Sequence, residues 1–252
     1  MAKEKKDTGV EVAAPQVGLM VSPDAYAITG SDIGGVVQVI KNNLGGETIG
    51  PRDLTQVKVP TTGTVTFAVT DINGEETQEK ELVGILTLSK LARAYWPGKY
   101  VGGNEPPQCS ATGGGRGVGN PGGVCALCPM AEFESAVDGA GQACKQMDMI
   151  FLLQKGNVLP TLVVLPATSL KQAREYKVAL STRGLSYYQV ETAIRLVKAT
   201  SKGGIVYTQT QLRFVRVLTL EEAQASEAYH NSIAGMLGEL DLGRDGDVAT
   251  SE

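Results

Sequence analysis

All four cysteines of this 252-residue chain lie in one glycine-rich stretch. They are Cys109, Cys125, Cys128 and Cys144, with the spacing C-x15-C-x2-C-x15-C. A C-x2-C pair on a tight turn points two thiolates at one ion, and tetrahedral zinc takes four such ligands. Seven glycines and one proline separate Cys109 from Cys125, so the backbone there enters tight and left-handed turns easily. The pattern predicts a structural Zn²⁺ ion held by all four thiolates.

Other uses of four cysteines remain open. Only the middle pair has the C-x2-C form, whereas most zinc ribbons have two such pairs. Four thiolates also hold iron–sulfur clusters, and four free thiols are the simplest alternative. Disulfides are disfavoured, because the charged start of the chain is not followed by the apolar stretch of a secretion signal. We therefore expect a cytoplasmic protein, and no apolar run approaches the roughly 18 residues of a membrane span.

The sequence lacks the patterns of common catalytic sites. It contains neither G-x-x-x-x-G-K-[ST] nor H-E-x-x-H. The only histidine, His230, lies in a predicted helix, where a packing or surface role is much more common than catalysis. Four cysteines would also saturate a zinc ion and leave no position for a water molecule. The sequence thus favours a binding protein over an enzyme.

Charge is unevenly distributed along the chain, whose net charge is −4. Residues 158–217 contain nine Lys or Arg and two Glu, whereas residues 218–252 contain eight acidic residues and one Arg. A basic body followed by an acidic tail is typical of interaction proteins. Two solvated faces of opposite sign are the simpler explanation.

Aromatic and basic residues are mixed between residues 91 and 100, directly before the cysteine loop. Such mixtures bind single-stranded nucleic acid by stacking and phosphate contacts, although Trp96 could equally anchor the cysteine loop to the core. The candidate stacking residues are Tyr95, Trp96, Tyr100, Phe133, Tyr187 and Tyr188. The candidate phosphate contacts are Arg93, Lys99, Arg116, Lys145, Arg195, Lys198, Lys202 and Arg213.

Period-two patterns predict a mainly β fold. Residues 64–69 alternate, Asn73-Gly74 marks a hairpin turn, and residues 80–88 form the return strand. Residues 190–196 and 206–214 form a second hairpin. One helix follows Ser169 as its cap, and another starts at the Thr219–Glu222 capping box and runs to about residue 237.

These elements fit an OB-like antiparallel barrel with a Gly-rich zinc-binding insertion and a C-terminal helix. We expect a flexible N-terminus at residues 1–22 and the OB-like domain at residues 23–237, with the insertion at 104–146. Residues 238–252 form an acidic tail whose composition predicts disorder.

Several segments resemble a family of phage and prophage proteins encoded among replication and recombination genes. They are AYWP (94–97), PPQCS (106–110), PGGVCALCP (121–129), QACK (142–145), LP (159–160), LPATSL (165–170) and STRGL (181–185). The resemblance covers roughly residues 40–235 and implies a single-stranded DNA-binding protein, in the host cytoplasm if a phage encodes it.

The plan is also similar to the zinc-containing single-strand-binding proteins of T4-like phages, with an OB fold, an inserted zinc subdomain and an acidic tail. This chain departs from them by using four cysteines without a histidine. It also lacks the terminal aromatic residue of bacterial single-strand-binding tails. The resemblance implies single-stranded DNA as partner, with replication or recombination proteins docking on the acidic tail. The alternatives are a zinc-stapled protein-interaction adaptor of a phage replication complex and an iron–sulfur nuclease.

Overall fold

A computed structural model describes most of the chain. The described residues are 22–29, 39, 42–45, 50, 53–60, 63–98, 106–113, 115–137, 141–201 and 203–236. The strands are β1 (Gln56–Lys58), β2 (Phe67–Thr70), β3 (Glu76–Glu79), β4 (Glu81–Tyr95), β5 (Cys109–Thr112), β6 (Arg116–Gly119), β7 (Gly123–Val124), β8 (Cys144–Leu153), β9 (Thr161–Leu165), β10 (Val190–Thr200) and β11 (Val206–Val217). The helices are α1 (Leu170–Ser181) and α2 (Leu220–Met236), with short 3₁₀ turns at Cys125–Leu127, Pro129–Ala131, Ala167–Ser169 and Tyr187–Gln189.

One large sheet organises the fold around the 15-residue strand β4. Its strand order is β1-β9-β8-β4-β5-β6-β7, and β10 joins β4 while β11 pairs with β10. The β1–β9 pairing is parallel and the other pairings are antiparallel. Strands β2 and β3 form a separate two-stranded sheet.

Both faces of the large sheet are buried, which explains the continuous apolar run at the end of β8. Met149 and Phe151 point into a core cluster shared with Tyr229 of α2. Ile150 and Leu152 alternate with them and point into a second cluster, which includes residues from α1 and β2. Since successive side chains of a strand face opposite ways, a strand covered on both faces must be apolar at every position.

A polar cluster connects α1 to the centre of the sheet. The Nζ atom of Lys177 lies 2.5 Å from Oδ2 of Asp148 and 2.5 Å from Oγ of Ser89, whose hydroxyl donates to Oδ1 of Asp148 at 2.7 Å. The Asp148 side chain is only 3% exposed. The ion pair therefore compensates a buried carboxylate four residues after Cys144.

Side chains contact the part of the β4 edge that lies between its pairings with β10 and β5. On this edge, β10 pairs with residues 81–85 and β5 with residues 92–95. Between them, Nδ1 of His230 lies 2.6 Å from the Thr87 carbonyl oxygen, and the His230 ring stacks on Tyr188 with centroids 4.6 Å apart. His230 is thus a packing residue, as predicted.

The mainly β class is confirmed, but the strand pairings of the described residues show no closed barrel. The Asn73-Gly74 turn is correct, although its return strand is β3 and the apolar run after it belongs to β4. The Thr219–Glu222 capping box is present in both directions. Ser169 precedes α1 but does not cap it, because its Oγ accepts a hydrogen bond from the Thr210 backbone at 2.9 Å.

The predicted flexible N-terminus, apart from residue 22, and the acidic tail lie outside the described residues, and the domain boundaries stay predictions. Neither helix in the described part of the chain is long and apolar enough to cross a lipid bilayer.

Candidate metal centre

The end of β4 places two cysteines on either side of one tyrosine. Tyr95 pairs with Cys109 of β5 on one edge and with Cys144 of β8 on the other. Residues directly opposite each other in antiparallel strands point to the same face of a sheet. Both thiols therefore point to the face of Tyr95, with their Cα atoms separated by two strand spacings, roughly 10 Å.

A small meander brings the C-x2-C pair over this face. Strands β5, β6 and β7 run antiparallel, and β7 leads into the 3₁₀ turn Cys125–Leu127. The Cys125 backbone donates to the Gly115 carbonyl at 3.2 Å, and the Cys128 backbone donates to the Cys125 carbonyl at 3.3 Å. This is the tight turn that the C-x2-C spacing predicts. We call residues 106–137 the cysteine extension.

Gly117 lies where two of the sulfurs converge. A Cβ atom at this position would lie 2.8 Å from Sγ of Cys109 and 3.8 Å from Sγ of Cys125. At Gly119, where φ is +109°, a Cβ atom would lie 2.1 Å from the Gln108 carbonyl oxygen. These two glycines let the extension fold closely against β5, and other residues would keep the thiols apart.

All four cysteines line one small cavity of about 10 Å³, together with Arg93 and Tyr95. This volume has room for about one water-sized sphere. Cys109, Cys125 and Cys144 are buried, Cys128 is partly buried, and all four thiols are free. The disulfide alternative is therefore absent from this structure.

Burial makes two of the four thiols harder to deprotonate. Burial raises the pKa of the Cys144 thiol to about 11 and also raises the pKa of the Cys125 thiol. The Arg93 guanidinium lowers both pKa values and so opposes the effect of burial. Neighbouring cysteines raise both pKa values further, because adjacent thiolates repel one another. A metal ion binding here would have to displace protons, so its affinity would rise with pH.

The thiols converge without forming a coordination sphere. Within the part of the chain that the structure describes, no three His, Cys, Asp or Glu side chains form a group that could hold a metal ion. The residue types, the shared cavity and its size fit a tetrathiolate ion. The sheet fixes Cys109 and Cys144 on either side of Tyr95, so any closure into a four-thiolate site has to come from the C-x2-C turn.

Three aromatic candidates for stacking serve as packing residues. Trp96 and Tyr188 pack against the core cluster that contains Tyr229, and Tyr187 packs against the other cluster. Tyr187 also lies edge-on to Tyr188, with ring centroids 5.5 Å apart. The position of Trp96 favours the anchor interpretation, since its ring joins the end of β4 to the core.

Two arginine candidates share one carboxylate. Arg195 and Arg213 contact different oxygens of Glu81, with Nη2 atoms at 2.7 Å and 2.9 Å. Both arginines are about half exposed and Glu81 is 22% exposed, so the three groups keep a net positive charge at the surface. Nothing in the sequence indicated the contact with Glu81, because Glu81 begins a different strand, β4, more than 100 residues earlier in the chain. Lys198 is exposed.

The candidates on the cysteine extension are the most accessible. Phe133 is 79% exposed, and Arg116 is exposed on β6. Lys145 is exposed on the opposite face of β8 from Cys144. Tyr95 and Arg93 are partly buried and line the thiol cavity. Three further candidates lie outside the described residues: Lys99, Tyr100 and Lys202.

Sequence reasoning placed Arg93 among the phosphate contacts and missed its position beside the thiols. The sequence signal that could have shown this position is the spacing of two residues between Arg93 and Tyr95, which puts both side chains on one face of a strand. A scan against protein-family models and searches of curated proteins and of solved structures found no match to this chain.

Proposed function

We propose that this protein binds single-stranded DNA through the cysteine extension, with a structural zinc ion held by Cys109, Cys125, Cys128 and Cys144. The observation that supports this most directly is Phe133, a 79% exposed aromatic ring on the same short extension as Cys109, Cys125, Cys128 and the exposed Arg116. A bound zinc would supply four metal–sulfur bonds that fix the extension, which has little core of its own.

Single strands suit such a surface for physical reasons. Unpaired bases offer both ring faces for stacking on an aromatic side chain, whereas the bases of a duplex are already stacked on one another. Arg116 on the extension and Lys145 directly after Cys144 supply positive charge for phosphates, whereas Arg195 and Arg213 lie beside Glu81 at the opposite end of β4 from Tyr95. An OB-type barrel is not needed for this mode of binding and stays a prediction, as do the phage context and the docking of replication proteins on the acidic tail.

The test is fluorescence anisotropy of a labelled dT 30-mer with the Phe133→Ala variant. Stacking contributes about 1–3 kcal/mol per base, so we expect the dissociation constant to rise about 5-fold or more. Ile72→Ala is the matched control, because Ile72 is a fully exposed apolar side chain in the β2–β3 turn. Equal affinity of the two variants would show that Phe133 stacks no base.

Salt dependence tests the charge contribution separately. Each phosphate contact to a single strand contributes about 0.7 to the slope of log affinity against log salt. Arg116→Gln should therefore lower the slope by about 0.7 without changing the zinc content. An unchanged slope would exclude Arg116 from the binding surface.

A protein-interaction adaptor is the second candidate, because the extension also exposes several apolar side chains. Val118, Val124, Leu127, Phe133 and Val137 are between 45% and 89% exposed. Concentrated exposed apolar surface is typical of docking sites for other proteins. If this candidate is correct, Leu127→Ser will abolish binding to a replication or recombination protein, while the wild-type chain shows no preference for the dT 30-mer over a duplex.

A further inference from the structure

The thiol cavity is lined by a partly buried cation as well as by the four cysteines. Arg93 belongs to β4 and pairs with Ala111 on one edge and with Gln146 on the other. It precedes Tyr95 by two residues and therefore shares the face on which Cys109 and Cys144 lie. Its side chain lines the same cavity as the sulfurs.

One nitrogen of this guanidinium has no acceptor. Among the described residues, Nη1 of Arg93 is buried without a hydrogen-bond partner, while Nη2 donates to Oε1 of Gln146 at 3.4 Å. The positive charge of the guanidinium also lowers the pKa of the Cys144 thiol, against the larger effect of burial. A buried donor without a partner destabilises the folded state by about 1–3 kcal/mol, and more when the group is charged. Arginine cannot relieve this by losing its proton, because its guanidinium stays charged in proteins.

Charge balance supplies a reason for a cation at this position. Four thiolates and one divalent ion carry a net charge of −2 in a site whose cysteines are mostly buried. Such a charge is expensive to bury unless it is paired and hydrogen-bonded. Thiolate sulfur accepts hydrogen bonds from N–H groups, and outer partners of this kind orient metal ligands and tune their affinity.

We propose that Arg93 is a positioning residue of the metal centre, whose charge offsets the tetrathiolate ion and whose free Nη1–H donates to a metal-bound sulfur. This inference depends on the proposed zinc site. It also removes Arg93 from the set of phosphate contacts, because the charge that would meet DNA is used inside the cavity.

The test is metal binding by the purified full chain with the Arg93→Gln variant. Cobalt(II) added to the reduced protein reports tetrathiolate coordination by its visible absorption, and competition with a chelator gives the zinc affinity. We expect Arg93→Gln to keep the tetrathiolate spectrum and to bind zinc 10- to 100-fold more weakly. Losing the hydrogen bond should also move the sulfur-to-cobalt charge-transfer band to lower energy, which a purely structural role of Arg93 would not do.

Two further variants make the result decisive. Arg93→Lys keeps the positive charge and should recover part of the zinc affinity. This variant still tests the role of the charge if Arg93→Gln fails to fold. Arg116→Gln removes an exposed arginine of the same extension and should bind zinc as the wild type does. Zinc affinities of Arg93→Gln and wild type within 2-fold of each other would overturn the role of Arg93 alone. A wild-type chain that binds neither metal through its thiolates would overturn the zinc site and this inference together, while leaving DNA binding to the anisotropy test.

Discussion

Gly117→Ala should disrupt the metal centre through one added methyl group. The new Cβ atom would lie 2.8 Å from Sγ of Cys109 and 3.8 Å from Sγ of Cys125. Ordinary contacts begin near 3.4 Å, so the methyl group and the Cys109 sulfur must separate by roughly 0.6 Å, whereas metal–sulfur distances tolerate only about 0.2 Å. Because Gly117 has a neighbour in β7 through its pairing with Gly123, the backbone cannot move away freely.

The size of the effect follows from the cost of overpacking. An extra methyl group in a well-packed site costs about 1–3 kcal/mol. If that cost falls entirely on the metal-bound state, the zinc dissociation constant rises roughly 5- to 150-fold. The assay is zinc competition against a chromophoric chelator, together with urea unfolding of the zinc-loaded and metal-free chains.

Gly115→Ala is the matched control within the same loop. A Cβ atom at Gly115 meets nothing within 4 Å, and its φ lies outside the left-handed region, so an alanine fits without strain. The control should bind zinc as the wild type does. Equal zinc affinity of the two alanine variants would refute the conclusion that the sulfurs converge beside Gly117.

Two further predictions concern stability. Lys177→Met leaves the 3%-exposed Asp148 carboxylate without its cation and should lower the free energy of unfolding, measured in urea, by about 3–5 kcal/mol. Lys171→Met, at an 81%-exposed position of the same helix, should change the free energy of unfolding by less than about 0.5 kcal/mol. Equal losses in the two variants would show that the buried pair is not formed. Hydrogen bonds from Arg216 hold the pKa of Glu222 at about 2, below its usual 4.5. The stability that this carboxylate contributes is therefore complete above pH 4.5 and is lost as the pH falls towards 2, a loss on the order of 2 kcal/mol. Urea unfolding at several pH values will measure this loss, and Glu222→Gln should abolish it.

The convergence of Cys109, Cys125 and Cys128 could be predicted from local sequence, whereas the position of Cys144 depends on the pairing of β8 with β4. Their spacing, the C-x2-C pair and the intervening glycines specify a folded-back loop, and the structure places all four thiols around one cavity. Positions 117 and 119 show why: an added Cβ atom would lie 2.8 Å from Sγ of Cys109 and 2.1 Å from the Gln108 carbonyl oxygen, so only glycine permits this close approach.

The extent of β4 could not be predicted, because its polar residues depend on distant partners. The predicted return strand ended at residue 88, before Ser89, yet the strand is continuous from Glu81 to Tyr95. The Ser89 hydroxyl is satisfied by Asp148 and Lys177, which are 59 and 88 residues away in the chain. A sequence pattern reports local periodicity and carries no information about such pairs.

The roles of the aromatic and basic residues were also beyond the sequence. Composition identified Trp96, Tyr187 and Tyr188 as possible stacking residues, but composition does not distinguish a ring on the surface from one against the core. The same holds for Arg93, whose charge suggested a phosphate and whose position on β4 places it among thiols. Burial is decided by the register of the sheet, which is a tertiary property.

The most direct test of the account compares a labelled dT 30-mer with a duplex of equal length in anisotropy titrations of the zinc-loaded chain. We predict tight binding of the single strand that weakens steeply with salt, weak binding of the duplex, and loss of the preference once a chelator has removed the metal. Equal binding of both DNAs, or a preference that survives metal removal unchanged, would contradict the claim that a zinc-held extension binds single strands.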